Sequence, residues 1–198
     1  MGTPRVIHPL FVRITHWINA VAILVMILSG WAIYNASPIF DFSFPPALTL
    51  GGGFIGALRL HFAAMWLLAA NAILMIGYGL ASGRYRAKLL PIRIRDIIDD
   101  GRAALTGRLS HVDLSQYNGV QKAMYAAVLV AIVGAIITGL ALWKPVQFQF
   151  LARLLGDFDT VRVLHFLAMS GIALFILVHV TMALLVPRSL LAILRGRP

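Results

Sequence analysis

Four blocks of this chain are apolar almost without interruption: Pro9 to Tyr34, Leu60 to Ala81, Ala123 to Trp143 and Val163 to Val186. Each reaches the length of about 20 residues that an α-helix needs to cross a hydrocarbon core about 30 Å thick, so the pattern predicts four transmembrane helices. A fifth apolar stretch, Phe42 to Leu58, is broken by Pro45-Pro46 and Gly51-Gly52-Gly53 and reads as a loop or interfacial segment between the first two. Between the second and third blocks lies a polar loop, 82–122, in which Pro91 to Leu105 sets Ile92, Ile94, Ile97, Ile98 and Leu105 among arginine and aspartate. That stretch is either a short helix lying on the membrane surface or a solvated connector. Arg5 and Arg13 precede the first apolar core as they would precede that of a signal peptide. The core is longer than a signal's and a histidine lies near its start, so it is expected to persist as a permanent helix. The expected fold is all-α: one integral membrane domain over residues 1–198, built as a four-helix bundle.

Composition agrees, with 60% hydrophobic and only 12% charged residues among 198. The net charge of +10 could suggest nucleic acid, but its distribution points elsewhere. Arg5, Arg13, Arg84, Arg86, Lys88, Arg93, Arg95, Arg102, Arg108, Lys122, Arg188, Arg195 and Arg197 all fall on one side of the predicted membrane, against Arg59, Lys144, Arg153 and Arg162 on the other. Such an asymmetry places both termini and the 82–122 loop in the cytoplasm of a cell whose inner membrane holds the protein. Cysteine is absent, which removes disulfides, cysteine-ligated iron–sulfur clusters and covalent haem attachment from consideration.

The candidate chemistry is histidine. His165 and His179 lie fourteen residues apart in the last apolar block. On a helix that is almost four turns and roughly 21 Å of rise, so both imidazoles leave one face at different depths. His16 and His61 lie near the starts of the first and second spans. Given the topology, His16 shares the cytoplasmic half with His179 and His61 shares the outer half with His165. Two ligands at each of two depths is what a pair of bis-histidine haems, stacked across the membrane, requires. The depths agree if the first helix starts near Pro9, which turns Arg13 toward the interface or a haem propionate. Any single one of these histidines could equally be a helix-packing hydrogen-bonder or part of a proton relay. His8 and His111 fall outside the spans and are read as surface or loop residues.

Other residues fit the same picture. Gly30 lies fourteen residues after His16, on the same face, where a missing side chain would let the outer porphyrin approach, and Gly134, Gly139 and Gly171 are further candidates. Small residues are also ordinary devices of membrane helix packing. Arg59 and Arg162 precede His61 and His165 by two and three residues and could pair with propionates or serve as interfacial anchors. Trp17, Trp31, Trp66 and Trp143 suit a belt or a haem surround equally well.

The stretch Arg13-Ile14-Thr15-His16-Trp17 resembles the R-x-x-H-W signature that opens the di-haem membrane cytochromes b of the bacterial cytochrome b561 and nickel-hydrogenase group. Formate dehydrogenase gamma and thiosulfate reductase cytochrome b subunits are relatives. Tyr117-Asn118-Gly119-Val120-Gln121-Lys122 resembles the Y-N-x-G-Q-K stretch of that branch, except that glycine follows asparagine directly and Val120 takes the family's glycine position. The resemblance implies two b haems held by His16, His61, His165 and His179. It also implies electron transfer between a membrane quinone and a catalytic partner subunit, commonly periplasmic and in some cases molybdopterin-dependent. In the formate dehydrogenase branch the asparagine matching Asn118 contacts the quinone, with the histidine matching His179 nearby, and Gln121 is a neighbouring candidate.

Two other functions stay open. Some compact relatives act alone as superoxide:quinone oxidoreductases, and Arg59, Lys144, Arg153 and Arg162 could draw an anion to the outer face. A proton or metal transporter using bare histidines is the third. Against it, Asp41, Asp96, Asp99, Asp100, Asp113, Asp157 and Asp159 all fall outside the predicted spans, leaving the histidines without carboxylate companions.

Overall fold

A computed structural model describes residues 8–83, 93–106 and 118–196. His111, Tyr117, Pro91, Ile92 and the cations Arg5, Arg84, Arg86, Lys88, Arg108 and Arg197 lie outside the described residues. Among the described residues, four helices are long and apolar enough to cross a membrane: α1 (Leu10–Ala36), α2 (Phe54–Ala81), α4 (Gly119–Trp143) and α6 (Phe158–Leu185). Three shorter ones accompany them, α3 (Ile94–Leu105), α5 (Gln149–Leu155) and α7 (Pro187–Arg195), with a 3₁₀ turn at Pro46–Leu48.

Three of the four long helices begin four to six residues before the apolar blocks that announced them. Local chemistry sets these starts, not hydropathy. Asn118 caps α4 in a reciprocal box with Gln121. Asp157 caps α6, its carboxylate accepting from the Thr160 amide at 2.7 Å, and that bond holds the Asp157 carboxyl below the ordinary carboxylate range. The start of α2 follows a run of left-handed glycines, Gly51, Gly52 and Gly53, with φ of 116°, 67° and 153°. A Cβ on Gly56 would stand 2.1 Å from the Gly51 carbonyl oxygen, so this turn tolerates no side chain. The surface stretch around residues 91–105 is a helix from Ile94, with Ile94 and Ile98 exposed beside Arg95 and Asp99.

The described residues form two compact units, one of residues 1–84 with 188–198, the other of residues 85–187. In the first, α1 and α2 run antiparallel. Asn71 donates through Nδ2 to the Thr15 carbonyl at 2.8 Å and to Asn19 Oδ1 at 2.6 Å, and Asn19 in turn reaches the Met75 sulfur. Toward the other end of the pair, residues 40–50 fold back on α1. Trp31 stacks on Phe44 with centroids 4.5 Å apart, Asn35 exchanges two hydrogen bonds with the Phe44 backbone, and the Leu50 amide donates to the Leu28 carbonyl at 3.1 Å. The apolar segment after the first span is thus a packed loop only as far as Gly53, and its last residues, from Phe54, belong to α2. Small residues fill the helix interface, Ala22, Ser29, Ala57 and Ala64 among them, which lets the backbones approach. α7 closes on the start of α1: the Arg13 guanidinium donates to the carbonyls of Ile193 and Leu194, capping the negative end of α7.

In the second unit α4 and α6 are also antiparallel, matched at Gly134 with Ala168 and at Gly171 with Ala131. α3 lies across the start of α4, where Asp100 Oδ2 accepts from the Gly119 amide at 2.6 Å. Most of the apolar surface of α6 is left uncovered by protein, with Val161 its one buried residue, as a helix bathed in hydrocarbon requires.

Candidate functional site

Each unit carries two half-buried histidines at two levels of its helix pair. In the first unit, antiparallel packing brings His61 of α2 beside Met26 and Ser29 of α1, the latter thirteen residues beyond His16. Thirteen residues of helix rise about 20 Å. In the second, His165 and His179 stand fourteen residues apart on α6, a rise of about 21 Å. The two units therefore repeat one spacing by different means, one across two helices and one along a single helix.

The immediate partners of His61 and His165 decide their chemistry. Ser29, fully buried, donates its hydroxyl proton to the Val25 carbonyl at 2.6 Å and stands 3.1 Å from His61 Nδ1. The Met26 carbonyl also faces that nitrogen at 3.1 Å. With its proton committed, the hydroxyl presents a lone pair to the ring, and a carbonyl is an acceptor only. Both partners require His61 to carry its proton on Nδ1, which leaves Nε2 with a lone pair for a ligand. Thr138, 4% exposed, repeats the arrangement: it donates to the Gly134 carbonyl at 2.7 Å and faces His165 Nδ1 at 2.9 Å. With the hydroxyl proton on the Gly134 carbonyl, the matching tautomer of His165 has its proton on Nδ1 and its lone pair on Nε2.

Beside each hydroxyl stands a glycine against the same ring. A Cβ at Gly30 would lie 3.5 Å from His61 Cε1, an ordinary contact, whereas one at Gly139 would lie 3.3 Å from His165 Cε1, tight enough to push the ring. Gly139→Ala is thus expected to disturb what His165 holds, by about 1–3 kcal/mol of overpacking, while Gly30→Ala is tolerated. Comparing ligand retention of the two variants on heating checks this, and equal behaviour would refute it. Gly134 and Gly171 meet alanine methyl groups at 3.9 and 3.8 Å, the ordinary small-residue packing of membrane helices.

The other histidine of each unit has aromatic neighbours. Trp17 packs edge-on to His16 with centroids 5.5 Å apart. Phe175 stacks on His179 at 5.5 Å and is itself met by Tyr125 at 5.8 Å. Of the remaining candidates, Arg13 lies on the end of α7, Arg59 is exposed, and Arg162 pairs with Asp159 one turn back at 3.3 Å. Asn118 Oδ1 accepts from the Gln121 amide and Gln121 Oε1 from the Asn118 amide, so both side-chain oxygens serve the α4 cap. What each can offer a ligand is its amide NH₂. Ser29 and Thr138 escape a reading of the sequence, because serine and threonine are common in membrane helices. The pairing signal is faint: a hydroxyl residue followed by glycine on the first long helix of each unit, and histidine as the eighth residue of the facing helix.

Residues 7–196 match the family described as prokaryotic cytochrome b561. The chain is 47% identical over 190 residues, 96% of both sequences, to a protein of Azospira oryzae named as protein-methionine-sulfoxide reductase subunit YedZ1. It is 27% identical to a protein of Cupriavidus necator named as a Ni/Fe-hydrogenase B-type cytochrome subunit, over 87% of this chain and 76% of the relative. No solved structure matches.

Proposed function

The chain belongs to the prokaryotic cytochrome b561 family, and from that premise we propose that it is the membrane subunit of an oxidoreductase, carrying electrons between the quinone pool and a periplasmic catalytic partner. Membership makes it a multi-pass membrane protein of electron transport that uses haem b. The finer reading is two haems in one four-helix bundle, His16 with His179 nearest the cytoplasm and His61 with His165 nearest the outside. One observation carries it: two units, folded differently, each present imidazoles at two levels about 20 Å apart.

The residues fit the group. A bis-histidine haem needs a neutral imidazole with its lone pair on the nitrogen facing iron, and the oxygens facing Nδ1 of His61 and His165 suit that tautomer. When bound, haem b with two such ligands supplies one-electron transfer and leaves no open position for oxygen chemistry. The protein's share is to hold the rings, to keep water away with apolar helices, and to hold opposite charge near the propionates. Arg59 and Arg162 are placed in sequence for that last task on the outer side. Asn118 and Gln121 remain the proposed quinone neighbours, through their amide N–H groups.

The partner proposed is a reductase of oxidised methionine in proteins, the activity named for the Azospira relative. The extent of that match favours a subunit with a partner over a stand-alone superoxide oxidase. The test is quinol-driven reduction of a methionine-sulfoxide protein by membranes containing the partner reductase, with and without this chain. The reaction is expected to depend on the chain, and equal rates in its absence would overturn the proposal.

A further inference from the structure

The hydroxyls of Ser29 and Thr138 occupy equivalent places in two units that share no helix. Each spends its proton on a carbonyl one turn back in its own helix, Val25 or Gly134, and each thereby faces an imidazole Nδ1 as an acceptor. Each is followed by the glycine on which that imidazole lies. Serine and threonine can make such back-bonds without any further purpose. The repeated convergence of back-bond, imidazole and glycine at His61 and His165 is a more specific arrangement.

We propose that Ser29 and Thr138 are positioning residues for the outer haem: they fix His61 and His165 with Nε2 toward the iron and hold that haem's midpoint potential low. The inference rests on the two-haem reading above. Its sign follows from electron density. A ligand whose Nδ1–H is accepted by an oxygen is more basic at Nε2, and a more basic ligand favours ferric over ferrous iron. Removing the acceptor therefore raises the potential. When Ser29 is changed His61 keeps the Met26 carbonyl, and Thr138→Val takes the hydroxyl from His165 and puts a methyl group in its place.

The test is optical redox titration and low-temperature EPR of the purified, haem-loaded full chain, with His165→Ala identifying the outer haem by its loss. Thr138→Val is expected to raise the midpoint of that haem alone and shift its low-spin EPR signal, Thr138→Ser to restore both, and Ser29→Ala to move the same midpoint in the same direction. Loss of the outer haem in Thr138→Val with retention in Thr138→Ser would equally support positioning by the hydroxyl. Unchanged midpoints and EPR in Thr138→Val overturn the inference, as does haem loss in both Thr138 variants alike. Two haems retained in His165→Ala overturn the assignment of His165 as a ligand of the outer haem, and this inference with it, before Thr138 is tested.

Discussion

His165→Ala is expected to lower the haem b to polypeptide ratio of the purified protein from two to about one, and His179→Ala to do the same for the other haem. On the proposed pairing, each variant removes one haem ligand from one level. A replacement would have to come from the other level, about 20 Å along the helix, which no side chain can bridge. The surviving haem should therefore keep its own spectrum, and the two variants together should resolve the wild-type absorption into two components. The double variant should bind neither. Pyridine haemochrome analysis against protein concentration reads all three outcomes. Loss of both haems from either single variant would mean that the levels are not independent, and loss of neither would break the pairing of His61 with His165 and His16 with His179.

Gly119→Val should separate α3 from α4. A Cβ at position 119 would stand 2.6 Å from the Asp96 carbonyl carbon and 2.7 Å from the Ile97 nitrogen. Those atoms are backbone in a helix, so no side-chain rotation relieves the clash, and α3 must move away. The same movement breaks the hydrogen bond from the Gly119 amide to Asp100. Overpacking in a fixed core costs about 1–3 kcal/mol, and here the strain can instead be released by undocking a surface helix. The expected signature is local: hydrogen exchange quickens several-fold or more across residues 94–105 while the α4 cap of Asn118 and Gln121 stays protected. Unchanged protection of α3 would show that it does not rest on Gly119. This packing also gives a physical reason for the glycine directly after Asn118, one place earlier than in the stretch it resembles, since that is where the α3 backbone lies.

The four spanning helices were legible because hydrocarbon demands long apolar runs, and such runs survive in any reading of the chain. The family was legible from Arg13-Ile14-Thr15-His16-Trp17, and the residues matched to the cytochrome b561 family extend it over residues 7–196. Helix starts were less legible. Asn118, Asp157 and the glycines at 51–53 set them through capping and left-handed turns, which carry no hydropathy signal. α5 was not foreseen either, being too short for periodicity to declare itself, and Arg13 was aimed at the interface or a propionate where the fold lays it on the last carbonyls of α7.

By itself the sequence determined that this chain crosses a membrane as helices and carries four histidines inside them at spacings suited to two cofactor levels. Those properties depend on composition and on rise per residue along one segment. Only the tertiary structure decided that Nδ1 of His61 and of His165 faces the hydroxyls of Ser29 and Thr138. These partners are separated from their histidines by 32 and 27 residues. Nothing local relates them, and they meet only because antiparallel helices with alanine and glycine at their contacts pack closely enough for a hydroxyl on one to reach an imidazole on the other.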